Sequence, residues 1–80
     1  LPSYPKVNYF LAKGFLAAGN FKKASDYAKE EAELNPSSEY GFVIAGEIFN
    51  SEREKTRDRT KILQLARKAI KSFEKAIRLN

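Results

Sequence analysis

An all-α fold of four antiparallel helices, arranged as two helix–turn–helix units, is what this 80-residue chain predicts. Three observations carry that expectation. The first is self-similarity: an offset of 34 places Leu11-Ala12 over Ala45-Gly46 and Phe15 over Phe49. Beyond residue 50 an offset of 45 takes over and places Ala24 over Ala69, Ala28 over Phe73, Ala32 over Ile77 and Leu34-Asn35 over Leu79-Asn80. The chain therefore holds two copies of one unit, and the second carries 11 extra residues near its middle. The second observation is that apolar residues recur at helical spacings of three and four. The third is composition: 42% hydrophobic and 31% charged residues argue against disorder. At this length one domain is expected, residues 1–80, with the copies at about 5–38 and 39–80 and the extra residues at about 51–61.

The first helix is expected to begin near Pro5, because a proline in the opening turn lacks an N–H that would find no intrahelical acceptor. Val7, Leu11, Phe15 and Ala18 would form its inner face. Gly19-Asn20 supplies a stop, with Asn20 able to cap the second helix. Phe21, Ala24, Ala28 and Ala32 make the stripe of that helix, which ends at Asn35-Pro36. Ser37 or Ser38 can cap the third helix, whose inner face would be Phe42, Ala45, Gly46 and Phe49. The fourth helix carries Ile62, Ala66, Ala69, Ile70, Phe73 and Ile77 on one broad stripe. Between them, Ser51 and Glu54 have capping-box spacing, while Thr56, Asp58 and Thr60 are equally good later caps. A lengthened third helix, a charged connection near 54–59 and a lengthened fourth helix follow.

Small residues are expected where helices touch: Ala12, Gly14, Ala18, Ala24, Ala28, Ala45, Gly46, Ala69 and Ala76. Phe15, Phe49 and Phe73 would fill the remaining volume.

These residues resemble the tetratricopeptide repeat, a helix–turn–helix unit of 34 residues. The family pattern sets an aromatic, then Leu-Gly, then Tyr in the first helix, and Ala, an aromatic and a closing Pro in the second. The first copy offers Leu11-Ala12, Phe15, Gly19, Ala24 and Pro36. It departs at Asn8 and Ala28, where large aromatics are usual. The second copy offers Phe42, Gly46, Phe49, Ala69, Phe73 and Ala76. It departs through the insertion and ends at Asn80, where the closing Pro would follow. The resemblance covers residues 5–80 and implies a short stacked α-solenoid; the alternative is a generic four-helix bundle.

In such stacks the first helices line a concave groove. The resemblance therefore places a peptide-binding face on Lys6, Tyr9, Lys13 and Ala17, and on Tyr40, Val43, Glu47 and Asn50. A phenol ring offers area at low entropic cost and a hydrogen-bonding tip, which suits recognition of a protein or peptide. The plainer alternative is that Tyr9 and Tyr40 merely cover helix edges. Some family members clamp a terminal carboxylate with Lys and Asn on three successive repeats. Here Tyr9, Lys13 and Ile44 occupy such places and no third repeat exists, which argues against that activity.

Net charge is +5, unevenly spread. Residues 1–58 carry eight Lys/Arg against nine Asp/Glu, and residues 59–80 carry seven against Glu74 alone. Arg67, Lys71, Lys75 and Arg78 are expected to form a basic ridge opposite Ala66, Ala69, Phe73 and Ile77. It would attract nucleic acid or an anionic surface in a salt-dependent way. The ridge lacks interleaved aromatics, so a solvated helix back is favoured and nucleic acid is not expected.

Cys, His, Met and Trp are absent, which removes thiol chemistry, Cys/His zinc sites and any histidine base. No Gly-rich phosphate loop or nucleophile elbow occurs. Glu30, Glu31 and Glu33 are expected on a charged helix face with no apolar pocket to tune them. No catalytic residue, metal or cofactor is therefore expected. The longest apolar stretches, such as Phe15–Ala18 and Phe42–Ala45, are too short to cross a membrane. With no Met, the natural start is expected elsewhere, and no signal peptide is readable. Two repeats fall short of the ~3 usually needed. Either the chain is part of a longer array, or exposed apolar edges such as Leu63 and Ile70 pair two chains as a homodimer.

Overall fold

The computed structural model describes residues 6–80, in four helices: α1 Val7–Ala17, α2 Phe21–Leu34, α3 Tyr40–Lys55 and α4 Arg59–Leu79. No strand occurs among the described residues. Pro5, the expected start of the first helix, lies outside them. Lys6 precedes α1 with φ 84°, a left-handed conformation that side chains disfavour. Gly19 adopts φ 79° after α1, and its N–H donates to the Leu16 carbonyl at 2.9 Å. Asn20 Oδ1 accepts the Lys23 N–H at 3.1 Å and starts α2 as expected. The N-cap of α3 is Glu39, not one of the two serines, and it makes no side-chain cap bond; Ser38, one residue earlier, accepts the Tyr40 N–H on its Oγ at 3.3 Å.

Asp58 wins among the candidate caps of α4, with Oδ1 accepting the N–H groups of Thr60 at 2.9 Å and Lys61 at 3.3 Å. Ser51 lies inside α3 and caps nothing. The insertion is absorbed entirely as helix. Four residues carry α3 past Ser51, the counterpart of Ala17, and seven start α4 ahead of Ala66, the counterpart of Phe21. The turn stays three residues long, 56–58 rather than 54–59. Asn20→Ala and Asp58→Ala should each cost about 1 kcal/mol. Ser51→Ala should change stability by less than about 0.5 kcal/mol. Urea midpoints of the three variants check this assignment of caps.

Each hairpin packs on itself, α2 packs on α3, and α1 also touches α3. The core is one cluster of Ala12, Ala24, Ala28, Ile44 and Ile48, with Tyr9, Phe15, Leu16, Phe21 and Tyr27 around it. Phe15 and Tyr27 stack with ring centroids 5.5 Å apart. Ala69 and Ala76 are buried on α4, and the Phe73 ring between them in sequence lies against buried Gly46 of α3.

Several faces differ from expectation, for one reason. A helix at the edge of the stack has a neighbour on one side only. On α1, Val7, Leu11 and Gly14 are exposed, as is Ala18 just past its end; the buried residue is Ala12. On α4, Ile77 is 72% exposed although it continues the apolar stripe, whereas Leu63 and Ile70 are exposed as expected. The middle helix α3 is covered on two sides. Phe42, Ala45, Gly46 and Phe49 form its expected inner face, yet the buried large residues are Ile44 and Ile48, directed at α1 and α2.

Candidate functional site

Five of the eight expected groove residues meet on the face shared by α1 and α3. The spacing Lys6, Tyr9, Lys13 puts three side chains along one side of the first helix, and Tyr40 and Glu47 answer from α3. The Tyr9 and Tyr40 rings lie 5.2 Å apart, tilted by 55°, and Phe10 meets the Tyr9 ring edge-on at 5.3 Å. Lys6 Nζ stands 4.7 Å over the Tyr40 ring and Lys13 Nζ 5.5 Å over the Tyr9 ring. Lys13 Nζ also lies 3.8 Å from Glu47 Oε1. The Tyr40 hydroxyl, as a hydrogen-bond partner and as a charge once ionised, raises the Lys6 ammonium above its ordinary 10.5. Lys6 therefore stays cationic through neutral and mildly alkaline pH.

The other three residues part from this cluster. Asn50 is half-buried one turn beyond Glu47. Val43 turns away and lines a hollow of about 390 Å³ at the open end of the α3–α4 hairpin, with Phe73, Ala76 and Ile77. Ala17 is exposed at the last turn of α1.

The basic ridge is also rearranged. Arg67, Lys71, Lys75 and Arg78 are all exposed. None forms an ion pair among the described residues. Lys75 leaves the line and leans over Phe42 of α3, with Nζ 4.9 Å from the ring centroid. Ile77, expected opposite the ridge, is itself exposed, and Ile70 and Glu74 share a surface hollow with Arg67 and Lys71.

Glu31 corrects the expectation of a wholly solvated acidic face. Glu30 and Glu33 are exposed, but Glu31 is fully buried. Its Oε2 accepts from Asn35 Nδ2 at 3.1 Å, and its Oε1 has no partner among the described residues. The signal lay in its spacing: Ala24, Ala28 and Glu31 fall on one face of α2. A further apolar hollow of about 220 Å³ separates α2 from α4, floored by Gly41, Phe42, Ala45 and Phe49 of α3. It forms because α2 and α4 do not touch.

Among the described residues, no group of three His, Cys, Asp or Glu is placed to hold a metal ion. No helix among them is long and apolar enough to cross a membrane. Comparison with protein-family models, curated proteins and solved structures finds no match to this chain.

Proposed function

We propose that the chain is a non-catalytic interaction module of the tetratricopeptide type, which docks a peptide or helix of a partner protein against the α1–α3 face. The observation that carries the reading is the paired Tyr9 and Tyr40 rings with Lys6 and Lys13 over them. Two half-buried phenol rings offer apolar area already held in place, so little side-chain entropy is lost on binding. The two ammonium groups select for carboxylates beside that area. The Lys13–Glu47 pair is partly exposed, and such pairs contribute only about 0–1 kcal/mol, so a partner's carboxylate can displace Glu47 at small cost. The favoured partner is thus an acidic segment with aromatic or aliphatic anchors. Two hairpins are what the repeat reading requires, and Phe73 of α4 lies against Gly46 of α3.

Selecting binders from a random peptide library and titrating them at low and high salt tests this. Tyr40→Ala should weaken the selected peptides roughly 10-fold or more, as expected for a central aromatic. The double variant Lys6→Ala, Lys13→Ala should act mainly at low salt. Peptides that ignore all three substitutions would overturn the reading. If their binding vanished with salt and with Arg67→Ala, Lys71→Ala instead, the ridge on α4 would be the operative surface.

A further inference from the structure

The interior of the molecule contains one interface between hairpins, and both halves of a second such interface lie open at its two ends. Inside, α3 seats Ile44 and Ile48 against Ala12, Ala24 and Ala28 of the α1–α2 hairpin. The internal repeat says what corresponds to each half. The counterparts of Gly41, Ile44 and Ala45 on α1 are Val7, Phe10 and Leu11. They are 47%, 63% and 40% exposed. The counterparts of Ala28, Glu31 and Ala32 on α4 are Phe73, Ala76 and Ile77. Those three, with Val43, line the open hollow of about 390 Å³.

We propose that this hollow is filled by Phe10 of a second copy of the chain, so that molecules associate head to tail and repeat across the junction the packing of α3 on α1–α2. The inference rests on the internal repeat and is independent of the peptide-binding reading. Size and charge both favour it. Phe73 and Ile77 replace alanines, which sets the docking helix further out, and Phe10 reaches further than the isoleucine it stands for. Lys13 and Glu47 are themselves counterparts and pair at 3.8 Å within one molecule. The same geometry at a junction brings Glu47 of one copy to Lys13 of the next, so opposite charges alternate along the stack. A contact between two different surfaces does not close by two-fold symmetry, and it produces open chains or rings rather than a simple dimer.

Sedimentation of the 80-residue chain from micromolar to millimolar concentration tests the proposal, using Phe10→Asp and Ile77→Asp. Both sites are exposed, at 63% and 72%, so the variants should keep the wild-type helical signal and urea midpoint. The wild-type mass should rise with concentration beyond two chains, while each variant alone stays at 9.1 kDa. Mixed together, the variants should form a one-to-one pair and stop there, because each retains the half that the other lacks. Three results would overturn the proposal. A wild-type chain that is monomeric throughout would leave the hollow to another occupant. Undiminished association of Phe10→Asp would point instead to a symmetric pairing of α4 edges, with Arg67 of each copy near Glu74 of the other. A mixture that stays monomeric would break the complementarity on which the head-to-tail contact depends.

Discussion

Glu31→Met should raise the stability of the chain by about 1–3 kcal/mol, the cost typical of a buried polar group left unsatisfied. The carboxylate is fully buried on the α2 face that carries Ala24 and Ala28, and one of its two oxygens lacks a partner among the described residues. Methionine has nearly the same length and volume, is unbranched, and adapts its thioether to the site. The substitution forfeits the 3.1 Å bond from Asn35, but Asn35 is half-buried at the end of α2 and can turn its amide toward water. Glu31→Gln should fall between the two, since it removes the charge and keeps a polar end. Urea unfolding is the measurement: the midpoint should move up with an unchanged slope. In a domain of this size each kcal/mol corresponds to a melting shift of about 4–8 °C, well within detection. A loss of stability instead would mean that Oε1 has a partner, such as an ordered water.

Glu31 also shows where the sequence stops being informative. Local chemistry was legible. Gly19, Asn20 and the Asn35-Pro36 stop act within a few residues of themselves, and the structure places each as expected. The four helices were legible because their apolar period is local too. Which side of each helix is covered is not a local property. Val7 and Leu11 have the spacing of a core stripe and stay exposed, because α1 has no neighbour on that side. Ile44 and Ile48 do not stand out in the sequence, because Phe42, Ala45, Gly46 and Phe49 already supply α3 with a plausible inner face. A helix between two hairpins needs two such faces. For Glu31, residue type outweighed position, although its register with Ala24 and Ala28 marked it as buried. The same split runs through the candidate site. Lys6, Tyr9, Lys13, Tyr40 and Glu47 come together on the α1–α3 face, whereas Val43 and Lys75 are redirected by the open end of α4 and by the ring of Phe42.

The close contacts between helices set the other large effect. Ala24→Leu and Ala69→Leu should each cost about 1–3 kcal/mol, because both alanines are buried where two helices meet and neither site has room for an isobutyl group. Gly41→Ala should cost a similar amount, of the order of 1–3 kcal/mol, against its gain in helix propensity. A Cβ there would stand 2.9 Å from the Ala32 nitrogen and 3.0 Å from its Cα, and backbone cannot swing aside as a side chain can. Relief requires α2 and α3 to separate, which would loosen Ile44 and Ile48 in the core. Gly46→Ala meets the Phe73 ring instead, at 2.6 Å, and a half-buried ring can rotate outward, so its cost should be smaller. Gly14→Ala provides the calibration. Nothing lies within 4 Å of a Cβ at that exposed helical position, so it should stabilise by about 1 kcal/mol through propensity alone. The ordering is what tests the packing, since all five of these variants add carbon to a helix and only Gly14→Ala should gain stability. Unchanged midpoints for Ala24→Leu and Gly41→Ala would mean that the α1–α2 and α2–α3 contacts are looser than described. The seat of Ile44, on which the head-to-tail contact is patterned, would then lose its basis as well.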